Sequence, residues 1–192
     1  MKHPGPTLRI IEADGPAPPS DDDLFLAAAA GNSTALRTLI DRHERDLRRF
    51  CRSILGDDAA ASDAAQETFI KLWNARARYR AEGRFLAFLY TLARNTARSM
   101  VRRRAVRSWL GLGPETAPSP SDSIERQATI DLVSSALDRL PEKLRTPLVL
   151  RFIHELSYEE IALVIERTPS AARSRVHYGL KALKALLPKE VE

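Results

Sequence analysis

Apolar residues recur three or four positions apart along most of this chain, which is the spacing of one buried face of an α-helix. Breaks in the pattern coincide with residues that cap or end helices. The predicted helices are Leu24–Ala30, Ala35–Leu55, one that opens at Ser62, Arg84–Arg107, Ile124–Leu140, one that opens at Pro141, and two between Leu156 and Leu187. The pattern therefore predicts an all-α protein.

The stretch from Leu156 to Leu187 carries separate start signals for two helices. Ser157 is a preferred N-cap, and Glu160 three positions later completes a capping box. Thr168 and Pro169 open the second helix, because proline at the first helical position loses no hydrogen bond. The predicted buried stripe of this second helix is Ala172, Val176, Leu180, Leu183 and Leu187. Two capped helices, a tight turn and a basic outer face indicate a DNA-binding helix-turn-helix, with an ordinary helical hairpin as the alternative.

Arginines dominate the outer face of the predicted helix Arg84–Arg107. Its apolar positions are Phe85, Phe88, Leu89, Leu92, Thr96 and Met100. Arg94, Arg98 and Arg102 are four apart and fall on the opposite face. Because the helix holds no acidic residue, this face gains no pairs of opposite charge. The pattern favours contact with a nucleic-acid backbone, and a solvated basic face is the alternative.

The helix that opens at Ser62 has the acidic and amide side chains Asp63, Gln66 and Glu67 near its start. Acidic residues in a first turn stabilise any helix through the backbone dipole. The alternative is an acidic face that docks on a basic partner. The residues alone leave both interpretations open.

Stretches rich in proline, glycine and serine divide the chain. Prolines crowd Met1–Ser20, which predicts a disordered tail, and Trp109–Ser123 reads as a linker. The predicted division is a tail at 1–22, a helical unit at 23–108, a linker at 109–125 and a second helical unit at 126–189. We therefore expect two small helical domains joined by a flexible linker.

Composition and charge narrow the function classes. The 192 residues carry a formal net charge of +5, which suits a polyanionic partner. Cys51 is the single cysteine and the four histidines lack ligand spacing, so we expect no disulfide, metal or cofactor. No Gly-rich phosphate loop, nucleophile motif or convincing pair of catalytic carboxylates occurs, so we do not expect an enzyme. Without a long apolar run or a signal sequence, we expect a cytoplasmic protein that does not insert into the membrane.

Four stretches, in this order and spacing, carry a resemblance to a known family. They are DAAQETFIKLW (Asp63–Trp73), FLAFLYTLARNTARSMVRRR (Phe85–Arg104), DRLPEKLRTPLVLRF (Asp138–Phe152) and LSYEEIALVIERTPSAARSRVHYGLKAL (Leu156–Leu183). The chain resembles the extracytoplasmic-function group of bacterial RNA polymerase sigma factors, of the sigma-70 family, from about Leu24 to Leu187. The resemblance implies sigma domain 2 in the first unit and sigma domain 4, with its helix-turn-helix, in the second.

The resemblance also implies roles for individual residues. Those implied to bind core RNA polymerase are Asp63, Gln66, Glu67 and Phe69. Those implied to bind and melt promoter DNA at the −10 element are Tyr79, Arg80, Arg94, Asn95, Arg98 and Arg102. Those implied to bind the −35 element are Arg173, Ser174, Arg175, His177 and Lys181. The implied partners are core RNA polymerase, promoter DNA and an anti-sigma protein.

Four positions depart from the family pattern. Glu166 stands where the family often has glycine in the turn, and a residue with a side chain resists positive φ. Ala171 and Ala172 replace Thr-Val, and Phe88 replaces Trp. The geometry of the turn at Glu166 is therefore the feature that the resemblance leaves least defined.

Two other functions fit parts of the chain. A stand-alone helix-turn-helix regulator explains the second unit and the net charge, but it needs neither an acidic docking helix nor the arginine helix. An RNA-binding or adaptor protein would use the basic helix alone. Specific initiation with core polymerase separates a sigma factor from both.

Overall fold

A computed structural model of the chain describes residues 18–109 and 126–187. The described helices are α1 Asp21–Ala29, α2 Ser33–Leu55, α3 Asp58–Asn74, α4 Phe85–Trp109, α5 Arg126–Asp138, α6 Glu142–Phe152, α7 Tyr158–Ile165 and α8 Pro169–Leu186. A 3-10 turn, Arg76–Arg78, lies between α3 and α4. The all-α prediction is confirmed. Most of the predicted tail and linker, at 1–17 and 110–125, lies outside the described residues.

Helix α3 begins five residues earlier than the sequence pattern indicates. Asp57, rather than Ser62, is its N-cap, and the Asp57 carboxylate accepts from the Ala60 backbone N–H at 2.7 Å. Gly56 ends α2 immediately before it, in the left-handed conformation with φ 70°. The early start follows from burial of Ala60 and Ala61, whose small side chains are hard to recognise as an apolar stripe.

The first unit packs α1, α3 and α4 around the long helix α2. Its largest fully buried side chains are Phe25, Leu39, Leu47, Phe50, Leu72, Leu89 and Tyr90. Cys51 lies in this core, and burial raises the pKa of its thiol to about 12. This buried, protonated thiol is therefore a structural part of the core.

In the second unit, α6 and α7 pack against α8. Pro147 lies inside α6 without splitting it. The predicted stripe on α8 is correct at Ala172 and Val176 but wrong at Leu180, which is 37% exposed. Gly179 is buried beside it instead, because its missing side chain lets α6 approach closely.

The two units pack directly on one another, α4 against α7 and α2 against α6. The Tyr90 hydroxyl forms a hydrogen bond with Nδ1 of His154, 2.7 Å away across this interface. Phe50 lies edge-on to the same imidazole, with ring centres 6.0 Å apart. Burial lowers the pKa of His154 to about 4, so the ring is neutral and Nδ1 can accept.

Candidate polymerase and nucleic-acid interfaces

The outer side of α3 combines charge with exposed apolar surface. Asp63 and Gln66 are exposed and Phe69 is half-buried. Ile70 is 61% exposed, which is unusual for so large an apolar side chain. A groove of about 240 Å³ runs between α2 and α3, and we call it the docking groove. Its lining residues are Ile40, Glu44, Arg48, Ser62, Ala65, Gln66, Phe69 and Ile70.

The two acidic residues of α3 have different surroundings. The Glu67 carboxylate lies 2.8 Å from Nζ of Lys71 and 3.7 Å from a guanidinium nitrogen of Arg103. The Lys71 hydrogen bond holds the pKa of Glu67 below its usual value. Asp63 is the sixth residue of α3, beyond the first turn, and makes no ion pair within the described residues. The helix dipole therefore accounts poorly for an acidic residue at position 63.

Tyr79 belongs to an aromatic cluster behind the loop that precedes α4. Its ring centre lies 4.9 Å from that of Phe25 and 5.3 Å from that of Phe88. The phenol donates to the Asp22 carboxylate at 2.6 Å, and the same carboxylate accepts from the Gly83 backbone N–H at 3.2 Å. Burial and the Asp22 hydrogen bond raise the pKa of Tyr79, so it stays protonated. Asp22 thus fixes both the ring and the loop.

The basic face of α4 is split between solvent and the interface. Asn95, Arg98 and Arg102 are exposed, as is Arg80 before the helix. Arg94 is only 7% exposed. Its Nη1 donates to the Val164 carbonyl at the end of α7 at 3.2 Å. The sequence predicts Arg94, Arg98 and Arg102 on one outer face of the helix, and the second unit covers Arg94.

The helix-turn-helix forms as its start signals predict. The Ser157 hydroxyl accepts from the Glu160 N–H at 3.2 Å, and the Glu160 carboxylate accepts from the Ser157 N–H at 2.8 Å. Thr168 caps α8 through the Ala171 N–H at 3.2 Å. Glu166 occupies the left-handed conformation, with φ 55° and ψ 54°. The backbone therefore adopts the turn that glycine would favour, despite the side chain.

The outer face of α8 presents cations and hydrogen-bonding groups. Exposed residues are Arg173, Ser174, His177 and Lys181, and Arg175 is half-buried. The Arg173 guanidinium stacks over Tyr158, as does that of Arg151, with Cζ 5.0 and 5.2 Å from the ring centre. Sequence reasoning missed Tyr158 and Arg151, because they precede α8 and only the fold brings them to its first turns.

A second cleft, of about 250 Å³, is lined by Arg42, His43, Asp46, Leu86, Tyr90, Ile153, His154 and Glu155. Within residues 18–109 and 126–187, no three histidine, cysteine or carboxylate side chains converge as metal ligands. None of the helices described there is both long and apolar enough to cross a lipid bilayer. The candidate sites are therefore the docking groove, the region from Tyr79 to Arg102, and the outer face of α8.

Comparison with known proteins matches these regions. The family model for Sigma-70 region 2 matches residues 39–107, and that for Sigma-70, region 4 matches residues 130–183. The ECF RNA polymerase sigma factor SigD of Mycobacterium tuberculosis is 34% identical over 179 residues, covering 85% of this chain and 82% of SigD.

Two solved structures are similar in fold. CnrH in complex with the cytosolic domain of CnrY has a TM-score of 0.66 and 28% identity, covering 86% of this chain and 96% of that one. The sigma factor RpoE in complex with the anti-sigma factor NepR from Bartonella quintana has a TM-score of 0.64 and 25% identity. That match covers 78% of this chain and 94% of RpoE.

Proposed function

Since this chain belongs to the extracytoplasmic-function group of bacterial RNA polymerase sigma factors, we propose that its two helical units divide promoter recognition between them. The chain is a sigma factor that directs transcription initiation, and its family acts as non-catalytic initiation factors. We infer that it has no enzymatic activity of its own and acts in the cytoplasm, bound to core polymerase.

One observation carries the proposal: three chemically different surfaces lie on a single chain. The docking groove combines apolar and acidic groups, the region around Tyr79 combines aromatic and basic groups, and α8 is basic. A stand-alone helix-turn-helix regulator needs only the third surface. A factor that binds polymerase, opens DNA and reads a duplex element needs all three.

The docking groove and the adjoining outer side of α3, which carries Asp63 and Glu67, are the proposed contact with core RNA polymerase. Asp63 and Gln66 would meet polar groups of the polymerase, while Phe69 and Ile70 bury apolar surface. Such a combination of an apolar centre and a charged rim is typical of protein interfaces. Glu67 belongs to this surface, but its charge is already neutralised by Lys71 and Arg103, so its contribution should be smaller.

The −35 contact is proposed for the outer face of α8. Arg173 and Arg175 lie near its N-terminal end, which in this motif approaches base edges in the major groove. Arginine can bond guanine through two parallel hydrogen bonds, which contributes about 1–3 kcal/mol of discrimination. Ser174 and His177 flank these arginines, and Lys181 lies farther along, where phosphate contact is expected.

The −10 contact is proposed for the region from Tyr79 to Arg102. Single-stranded bases stack on aromatic rings, and arginine side chains hold the backbone. Tyr79 is the candidate stacking residue, and the backbone candidates are Arg80, Arg94, Asn95, Arg98 and Arg102. We propose the corresponding division of the chain: domain 2 at 23–108 and domain 4 at 126–189, with a linker at 109–125 and a tail at 1–22.

An anti-sigma protein is the third proposed partner. The similar RpoE structure contains the anti-sigma factor NepR, and the similar CnrH structure contains the cytosolic domain of CnrY. A partner of that class would hold this chain inactive by covering its polymerase-binding or DNA-binding surfaces.

The test is transcription with core polymerase on fragmented genomic DNA of the source organism, with sequencing of the transcript ends. A shared pair of upstream elements supports the proposal. Arg173→Ala with Arg175→Ala should abolish −35-dependent initiation and retain core binding, whereas Ile70→Glu should abolish core binding. Glu67→Gln, in the same surface, should weaken core binding less than Ile70→Glu does. Tight, specific DNA binding without polymerase would support a stand-alone regulator, and RNA binding alone an adaptor.

A further inference from the structure

The contact between the two units covers part of the surface proposed for the −10 strand. Tyr90, Arg94 and Arg98 are four residues apart and share one face of α4, which we call the closing face. Tyr90 and Arg94 are buried there, and about half of the Arg98 side chain is exposed. The second unit therefore occupies a surface that DNA is expected to use.

The atoms that contact Arg94 and Arg98 across the interface are acceptors, while burial and the nearby guanidinium groups of Arg98 and Arg175 lower the pKa of Arg94. Arg94 donates to the Val164 carbonyl and lies 4.0 Å from the carboxylate of Glu142 and 3.9 Å from that of Glu166. Nε of Arg98 lies 3.4 Å from the Glu142 carboxylate. Glu142 opens α6 and Glu166 ends α7, so both acids belong to the helix-turn-helix unit. Anionic oxygens around guanidinium groups reproduce the chemistry of phosphate recognition.

This arrangement is too short to span a promoter. Glu166 contacts α4, and Arg173 is only seven residues away, which is on the order of 10 Å along a helix. Elements centred at −10 and −35 are about 25 base pairs apart, or about 85 Å at about 3.4 Å per base pair. The closing face and the −35 face therefore cannot engage one promoter while the units remain packed together.

We propose that the helix-turn-helix unit competes with DNA for the closing face, with Glu142, Glu166 and the Val164 carbonyl taking the places of strand phosphates on Arg94 and Arg98. This inference rests on the proposed −10 role of α4. The free protein is closed, and it opens when polymerase and promoter separate the units. The interaction surface is thus the closing face, and its occupant in the free protein is an acidic part of the same chain.

The first experiment measures closure in the full-length chain without polymerase. Spin labels at Asp41→Cys on α2 and Ala185→Cys on α8 report the separation of the units, since both positions are exposed. Cys51 is buried with a raised thiol pKa, so labelling is confined to the introduced cysteines. We expect one narrow distance for the free chain and a longer one in the promoter-bound holoenzyme. A broad distribution in the free chain, or the same distance in both states, overturns the proposal.

The second experiment removes the acceptors with matched charge changes. Glu142→Gln and Glu166→Gln are each compared with Glu159→Gln, which changes net charge equally and lies exposed in the first turn of α7. The probe is a fluorescein-labelled 15-nucleotide single-stranded DNA of mixed sequence. Each test variant should bind it about two- to threefold more tightly than Glu159→Gln, since ion pairs of this exposure couple weakly. Both should also broaden the spin-label distances.

Equal behaviour of the test and control variants contradicts the competition. These measurements use the chain alone, so they remain interpretable if transcription with core polymerase fails. A closed free chain with unchanged DNA affinity in Glu142→Gln and Glu166→Gln would refute the competition and leave the sigma-factor proposal intact. Failure to initiate transcription would refute the proposed function and leave the measured closure standing.

Discussion

The guanidinium carbon of Arg173 lies 5.0 Å from the centre of the Tyr158 ring, so a residue of α7 holds the side chain proposed to read the −35 element. Replacing the ring by Leu should leave the fold intact and free the arginine to adopt other rotamers. We expect Tyr158→Leu to lower −35-dependent transcription by about two- to fivefold, the effect of losing about 0.5–1 kcal/mol of cation–π interaction. The measurement is initial transcription rate on promoters with intact and altered −35 elements.

Tyr158→Phe is the matched control, because phenylalanine keeps the ring face and loses only the hydroxyl. It should transcribe like the wild type. Equal losses in both variants would show that the hydroxyl matters rather than the stack, and unchanged activity in both would remove Tyr158 from the reading of the −35 element.

The left-handed backbone at Glu166 should carry a measurable cost. A residue with a Cβ is strained at φ 55°, and glycine is not. Glu166→Gly and Glu166→Ala both lose the contact with Arg94, so their difference isolates the backbone. We expect the glycine variant to have a free energy of unfolding higher by about 1 kcal/mol, measured by urea denaturation. Identical stabilities would mean that the turn relaxes out of the left-handed region in the alanine variant.

Gly179 should not tolerate a methyl group. A Cβ there would lie 2.9 Å from two side-chain carbons of Leu148 and 3.1 Å from the Leu144 carbonyl oxygen. Alanine is intrinsically better than glycine in a helix by about 1 kcal/mol, but overpacking costs about 1–3 kcal/mol. We therefore expect Gly179→Ala to destabilise the protein in urea denaturation. The same change in a Leu148→Ala background should cost less, and strict additivity would contradict the proposed clash.

Lowering the pH should reduce the free energy of unfolding because of His154. Burial lowers its pKa to about 4 in the folded state, while the unfolded chain keeps the ordinary value of 6.5. The unfolded state thus binds a proton that the folded state rejects, and stability falls as pH drops from 6.5 towards 4. The slope from this group is at most about 1.4 kcal/mol per pH unit.

Urea denaturation of wild type and His154→Gln at pH 7, 6 and 5 isolates this effect. The variant lacks the titrating ring but keeps the other groups, including the buried His43, whose pKa burial also lowers. The wild type should lose more stability than the variant over this range. Parallel pH profiles would show that His154 is protonated in the folded protein too.

Features encoded within a few residues were predictable from the sequence. The capping box of Ser157 and Glu160 and the Thr168 cap depend on neighbours at most a few positions apart, whereas the left-handed backbone at Glu166 was not predicted. The start of α3 was predicted wrongly because Asp57 and Ser62 can both cap a helix. The choice between them depends on whether the alanines in between pack on α2, which is a tertiary contact.

Long-range packing explains what the pattern missed. The three- and four-residue spacing of apolar positions in α4 places Arg94 on the face opposite the phenylalanine and leucine stripe. On an isolated helix, the face that carries Arg94 would be exposed to solvent. Its burial is decided by α7, seventy residues farther along, through the Val164 carbonyl. Ile70 and Tyr158 were missed for the same reason, since their significance depends on the neighbours that folding provides.

The position of Arg94 between α4 and α7 makes promoter affinity a property of an equilibrium rather than of the DNA surface alone. If only a fraction of the free chain is open, its apparent dissociation constant for DNA is the intrinsic constant divided by that fraction. A ligand that binds the packed form more tightly would therefore lower the affinity of the protein for DNA without touching either DNA-binding face. DNA would lower the affinity of the protein for that ligand by the same factor. Substitutions at Glu142 or Glu166 would then retune the sensitivity of the whole switch while the promoter sequence it reads stays the same.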